Sequence, residues 1–272
     1  MLFLTLTLAQ AAPAFASGLA DDALQEQLRK EYVSPAKVHV LRNFYAEFPL
    51  KYDLAGDLIG KSQSGPWTLF GGVIIEQLLL KPDHLEIRGH RAAFVYDLQQ
   101  AKLVPQRWDA IIIEIATREA LDQSAQLHAA LEKIFTAPGD DTSNSMPDYW
   151  QPYYSGALRK RTPEDDAEEP TASDHSKVRP PAGSGVVEGH LKRRIEPAYT
   201  PLAKAAHIQD TCVMRATIDK SGRLKDIVIV RPMGAGLDEE VIKALRQWEY
   251  EPYRLKGEPI EIETQIVIRF HL

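Results

Sequence analysis

One cysteine, Cys212, stands in a chain of 272 residues, which excludes an internal disulfide. It alternates with Met214 and Ile218, the setting of a small core residue. It lacks the basic, partly exposed surroundings that activate a catalytic thiol. Positive charge is in deficit too. Lys and Arg number 32 against 38 Asp and Glu, for a net charge of −6. No basic stripe is available to neutralise phosphates, which argues against a nucleic-acid partner. The eight histidines are scattered, and none has metal-ligand spacing to another His, Cys or acid. No Lys-Ser or Lys-Thr follows Gly71-Gly72, so no phosphate loop forms there. Asp57, Asp83, Glu86 and Asp97 read as turn or strand-face acids rather than acid–base catalysts. No catalytic constellation, metal or cofactor is expected.

What is present is ordinary globular material, 44% hydrophobic and 26% charged, with its clearest pattern at the end. From Ile260 to Leu272 every even position is apolar or Thr, and the odd positions are Glu261, Glu263, Gln265, Val267, Arg269 and His271. Period two predicts a half-buried strand with one dry and one charged face. Upstream, Cys212 to Asp219 alternates, Lys220–Arg223 reads as a tight turn with Gly222 supplying positive φ, and Leu224–Arg231 is a second strand. Pro232, Gly234 and Gly236 break the pattern. Leu237, Val241, Leu245 and Trp248 then recur at helical spacing, with Asp238, Glu239 and Glu240 in the first turn, where the helix dipole favours acids. Pro252 ends that helix, and residues 256–259 turn the chain into the last strand. Pro201–Ala206 reads as a short helix.

Those spaced residues resemble the C-terminal domain of the TonB energy-transducer family. The matching positions are Pro197, Tyr199, Ala203, Gln209, Ile218, Asp219, Gly222, Leu237, Asp238, Trp248, Tyr250, Pro252, Gly257, Pro259, Phe270 and Leu272. Thr200 and Asp210 depart from the pattern, standing where the family usually has Pro and Gly. The expected fold class is α+β: a C-terminal TonB-like domain, a three-stranded antiparallel sheet with two helices over residues 187–272, plus an N-terminal domain. That N-terminal domain, residues 21–136, is expected to be mostly antiparallel β with flanking helices. It runs from a helix at Asp21–Tyr32 through strands near Leu50–Leu54, apolar runs at Trp67–Phe70 and Val73–Leu80, and a meander of Leu85–Arg88 with Ala92–Tyr96. A strand at Ile111–Ile115 and a helix at Glu119–Phe135 complete it.

Residues 137–186 carry Pro, Gly and an acidic cluster without apolar periodicity, the composition of a flexible linker. The aromatic island Tyr149–Tyr154 interrupts it, either as a segment tacked onto the first domain or as a docking motif for a partner. Residues 1–16 are uncharged and shorter than the about 20 apolar residues that span a bilayer. Ala14-Phe15-Ala16 fits a small-residue cleavage site. A cleaved export signal and a periplasmic protein are expected; an uncleaved inner-membrane anchor is the alternative.

The resemblance implies function as well. In the family the last strand lies at a sheet edge and accepts the TonB box, a short peptide of outer-membrane transporters. Strand addition of this kind uses main-chain hydrogen bonds for affinity. Carried over, Gln265, Val267 and Arg269 would flank the incoming strand, and Arg194, Pro197 and Tyr199 match the segment that touches receptors in relatives. Family transducers also meet an ExbB–ExbD motor through a membrane helix and a Pro-rich spacer, neither of which is evident here. The leading expectation is a non-enzymatic protein that binds an outer-membrane receptor or another envelope protein. The alternative is a small-ligand or lipid carrier or sensor whose C-terminal domain docks it. A large cavity between the N-terminal sheet and the Glu119–Phe135 helix would favour the carrier, and a solid core the adaptor.

Overall fold

The structure, a computed structural model, describes residues 13–117, 124–136, 146–154 and 185–272. The expected export signal lies mostly outside them; helix α1 (Pro13–Tyr32) is described from Pro13. No helix among the described residues is long and apolar enough to cross a membrane.

The first sheet has six strands: β1 (His39–Leu41), β2 (Leu50–Tyr52), β3 (Gly72–Leu80), β4 (His84–Asp97), β5 (Lys102–Ala116) and β6 (Phe135–Thr136), in the order β2-β5-β4-β3-β1-β6. All pairs are antiparallel except β2 with β5. Two expectations are corrected. Trp67–Phe70, read as an apolar run among strands, is a helical turn, α2, entered from Pro66. The meander of Leu85–Arg88 with Ala92–Tyr96 is one continuous strand. Gly89 does not turn the chain there; a Cβ would lie 2.0 Å from the Ile74 carbonyl oxygen, so glycine lets β3 approach. The irregularity falls at Arg91, where the β4–β5 register shifts. There the buried guanidinium donates to the carbonyls of Phe70, Tyr45 and Glu47.

Helix α3 (Ser124–Ile134) follows the expected helical spacing; 118–123 lie outside the described residues. Its Leu127, Leu131 and Ile134, with Leu28 of α1, pack directly on Leu50, Ile87 and Ile113 of the sheet, all at most 4% exposed. Each such side chain contributes about 1.5–3 kcal/mol of burial. Side chains fill the space where the carrier reading needs a cavity.

The aromatic island does not behave as linker. After the 3-10 turn Asp148–Trp150 comes α4 (Gln151–Tyr154), and Trp150 is fully buried. Residues 137–145 and 155–184 lie outside the described residues.

The C-terminal part holds short β7 (Val186–Val187) and β8 (Leu191–Arg193), α5 (Pro201–Ala205), β9 (Asp210–Ile218), β10 (Leu224–Arg231) and α6 (Leu237–Leu245). After them come β11 (Glu249–Tyr250), β12 (Arg254–Leu255), β13 (Glu258–Pro259) and β14 (Ile262–Phe270). Three strands make its main antiparallel sheet, ordered β10-β9-β14, as the alternation predicts. Its core joins Met214, Ile218, Ile266 and Ile268 to Val241 and Leu245 of α6. Trp248, fully buried as its spacing implies, donates its indole N–H to the Ile195 carbonyl at 2.8 Å. The two departures from the family pattern have local uses. Thr200 caps α5, accepting from Ala203 N at 3.2 Å and donating to the Ala235 carbonyl at 2.7 Å. Asp210 grips Arg231 with both oxygens, at 2.8 and 3.0 Å.

The two parts are joined. Tyr96 N–H donates to Met233 O and Ala235 N–H to Phe94 O, at 2.9 and 2.8 Å, so the end of β4 pairs with the loop after β10. Gly234 takes φ 78° there, and a Cβ would stand 2.1 Å from Phe94 O, so no other residue fits that approach. Trp67 stacks on Phe94 at 4.8 Å and tilts against Trp150 at 5.6 Å, and all three pack with the C-terminal core.

Candidate functional site

Along β14 the parity read from the sequence holds. Thr264, Ile266, Ile268 and Phe270 are buried, Glu263, Gln265 and Arg269 are exposed, and Val267 is half-buried. The strand pairs with β9 over nine residues, from Ile262 with Ile218 to Phe270 with Asp210. On its other side no strand is present among the described residues. Alternate backbone N–H and C=O groups of an antiparallel edge strand point away from the sheet.

The opposite edge, β10, has a different environment. The Asp148–Trp150 turn and α4 pack against it, and the loop that follows it is bonded to β4. One edge of the sheet is packed against from within the chain, and the other has no strand beside it among the described residues.

Gln265, Val267 and Arg269 lie together on the outer face, two residues apart. Glu263 precedes them, with its carboxylate 4.0 Å from Arg215. Of the upstream residues, Tyr199 reaches this strand. Its ring meets Phe270 edge-on at 5.4 Å, and its hydroxyl donates to the Ile208 carbonyl. Arg194 sits elsewhere: its guanidinium lies 5.6 Å from the Trp248 ring centre and pairs with Glu196 at 2.8 Å. Pro197 is half-buried between them. The structure thus places Tyr199 at the end of β14 and Arg194 on Trp248, rather than gathering all six residues at one point. Gln209, read from the sequence as a family position and given no role, accepts the Leu272 N–H at 3.1 Å with its side chain and ties down the chain beyond β14.

Other reactive groups have structural employment. Cys212 is fully buried and its thiol donates to Asp238 at 3.2 Å. Burial, with the neighbouring Asp238 charge, pushes its pKa well up, the reverse of what a nucleophile needs. One grouping was not foreseen. His84 and Glu86 share a face of β4, and Glu114 stands opposite Glu86 on β5, their ligand atoms all within 4.8 Å. The two-residue strand spacing of His84 and Glu86 is the signal that could have shown it. Cations already occupy these carboxylates: Lys81 and Arg88 each lie 2.6 Å from Glu86, and Lys51 lies 2.8 Å from Glu114. A metal ion would have to displace them.

The fold is a small α+β domain whose last strand has no strand on one side among the described residues. Residues 195–272 match the family described as Gram-negative bacterial TonB protein C-terminal, and this part of the chain is a TonB C-terminal domain. It is 26% identical over 83 residues to the Protein TonB of Vibrio cholerae serotype O1, a match covering 30% of this chain and 34% of that protein. The chain therefore spans about a third of the length of that relative. A solution structure of the Pseudomonas aeruginosa TonB CTD is 27% identical, covering 33% of this chain and 86% of its own, with a TM-score of 0.24.

Proposed function

We propose that this is a cell-envelope protein that binds an outer-membrane receptor by adding one of its extended segments to β14. It faces the periplasm and acts by binding, without chemistry of its own. The observation that carries the reading is that β14 has no strand on its outer side among the described residues, while elements of the chain pack against the opposite edge at β10. A TonB C-terminal domain supports the choice of receptor, and the filled space between α3 and its sheet favours an adaptor over a carrier.

The test is disulfide trapping on the full chain with a cysteine-bearing TonB-box peptide. Cys212 is buried and does not compete. Val267→Cys on β14 should trap the peptide, and Lys225→Cys on β10 should not. Equal trapping at both edges, or trapping at β10 alone, overturns the assignment.

A further inference from the structure

Asp238 and Glu239 are neighbours in the first turn of α6, and both are buried, at 0% and 8% exposed. Together they grip the two sides of one contact. Asp238 holds the loop after β10, accepting from Met233 N–H at 2.9 Å and Gly234 N–H at 2.6 Å. That loop is the one bonded to Phe94 and Tyr96 of β4. Glu239 holds the N-terminal segments directly, through Thr68 of α2 and the Trp150 indole. Among the described residues no Lys, Arg or His pairs with either acid. Two charges side by side out of water, with no cation between them, are costly, and one proton relieves that cost.

The groups around the pair are otherwise occupied or hold their protons. Burial pushes up the phenols of Tyr149 and Tyr153, the latter to about 12. It also keeps Cys212 of β9 a thiol. Arg231 of β10 is engaged by Asp210, Lys243 of α6 by Glu240, and Asp97 at the end of β4 by Gln99 and Gln100. Arg246, just past α6, acts on Tyr149, and Lys204 of α5 lies 6.0 Å from the Tyr199 ring centre. Helix α2 brings no ionisable side chain, and no histidine stands on any of these segments.

We propose that this contact is a proton-operated latch between the six-stranded sheet and the C-terminal domain, closed while the Asp238–Glu239 pair holds a proton and loosened when that proton leaves. Burial first, and then the neighbouring charge, raises the Asp238 pKa to about 7, and burial raises that of Glu239. In the opened contact water reaches the pair, and both acids ionise near the ordinary carboxylate range. Opening therefore releases a proton between about pH 4 and 7. It becomes easier as pH rises through that window and levels off above it.

Hydrogen exchange of the full chain reads the latch at the Tyr96 and Ala235 amides, whose bonds cross the contact. Protection, taken relative to the unstructured chain at the same pH, should fall about tenfold per pH unit from pH 5 to 7. The Met214 amide, in the central strand β9, should stay better protected than both. Glu239→Gln keeps the shape, and its amide can donate to the Thr68 hydroxyl as the protonated acid would. At pH 7.5 its junction amides should be at least about tenfold better protected than the parent's, one pH unit's worth of the parent's loss. A variant profile as steep as the parent's overturns the assignment to this pair. Junction protection independent of pH in the parent overturns the latch whether or not the variant folds. Equal protection of Tyr96, Ala235 and Met214 at every pH overturns it too, because the contact then opens only when the whole chain unfolds.

Discussion

Thr68 and Glu239 lie 171 residues apart in the chain and are joined by two buried hydrogen bonds. Thr68 N–H donates to one carboxylate oxygen at 3.0 Å, and its hydroxyl donates to the other at 2.8 Å. Trp150 donates its indole N–H to the first oxygen at 3.2 Å. The Thr68 hydroxyl in turn accepts the Gly236 N–H at 2.8 Å. Three segments thus meet on one side chain in the first turn of α6. Burial pushes the Glu239 pKa up, and these donors offset part of that rise.

Thr68→Val keeps the shape and removes the hydroxyl. It leaves one carboxylate oxygen of Glu239 and the Gly236 N–H without this partner, both buried. The expected loss is about 2–4 kcal/mol, since orphaned buried groups, charged ones most, are costly. Urea unfolding of the full chain should show it in a single transition shared by both sheets. Two separate transitions, with only one shifted by the substitution, would mean that the units fold independently.

Trp150→Ala should cost about 3–5 kcal/mol, the range for emptying a buried aromatic site. The aromatic island then acts as an anchor, and partner binding per folded molecule should be unchanged. Calorimetric binding of the trapped-edge peptide, alongside the melting curve, separates the two readings. Lost binding at unaltered stability would make the island a docking motif.

Much of the C-terminal sheet could be read from residue types because its signals are local. Alternation buries Ile266 and Ile268 and exposes Gln265 whatever else the chain does. The same parity placed the three β14 site residues on one face. What escaped depends on distant partners. Asp238 and Glu239 look like solvated acids at a helix start; Glu239 is buried against Thr68 of α2 and Trp150, and Asp238 against Cys212 and the Met233–Gly234 backbone. Gly234 looks like a simple break, and its reason is the Phe94 carbonyl. Trp150 sits in polar, Pro-containing sequence that hides an anchor. Arg194 matched a motif position, and its place on Trp248 follows from packing that spacing alone does not encode.

Asp238, with Glu239 beside it, gives the stability a pH dependence. Its oxygens accept from Met233 N–H, Gly234 N–H and the Cys212 thiol. Burial first, and then the neighbouring Glu239 charge, raise its pKa from 3.8 to about 7. A raised pKa means that the folded state holds a proton the unfolded chain has released. This contribution is therefore complete below about pH 4 and is lost as pH rises to about 7, at up to about 1.4 kcal/mol per unit. His39 opposes it, because burial lowers its pKa and its contribution fades as pH falls below 6.5. The comparison of Asp238→Asn with the parent between pH 5 and 8 cancels His39. The parent's stability relative to the variant should fall as pH rises, and parallel curves would show that Asp238 does not titrate in this window.

The six-stranded sheet has an edge of its own, and its residues differ from those of β14. Strand β5 pairs with β4 from Lys102 to Ala116, while β2 covers it only at Ile113–Ile115. Over Lys102–Ala110 its far side has no strand among the described residues. Pro105 interrupts that stretch, and Lys102, Arg107 and Asp109 are exposed along it. Proline cannot donate to an incoming ladder, and charges on an edge discourage pairing. Strand β14 contains no proline, and its charges leave Gln265 to Val267 clear. The two edges are therefore predicted to differ in receptivity, one guarded and one accessible. Pro105→Val with Lys102→Thr should open the guarded edge. Sedimentation velocity should then show concentration-dependent association that the parent lacks, with stability within about 0.5 kcal/mol, as for surface changes. A variant that stays monomeric at every concentration would show that proline and lysine do not protect β5. Edge composition would then not distinguish β14 from β5 as an acceptor.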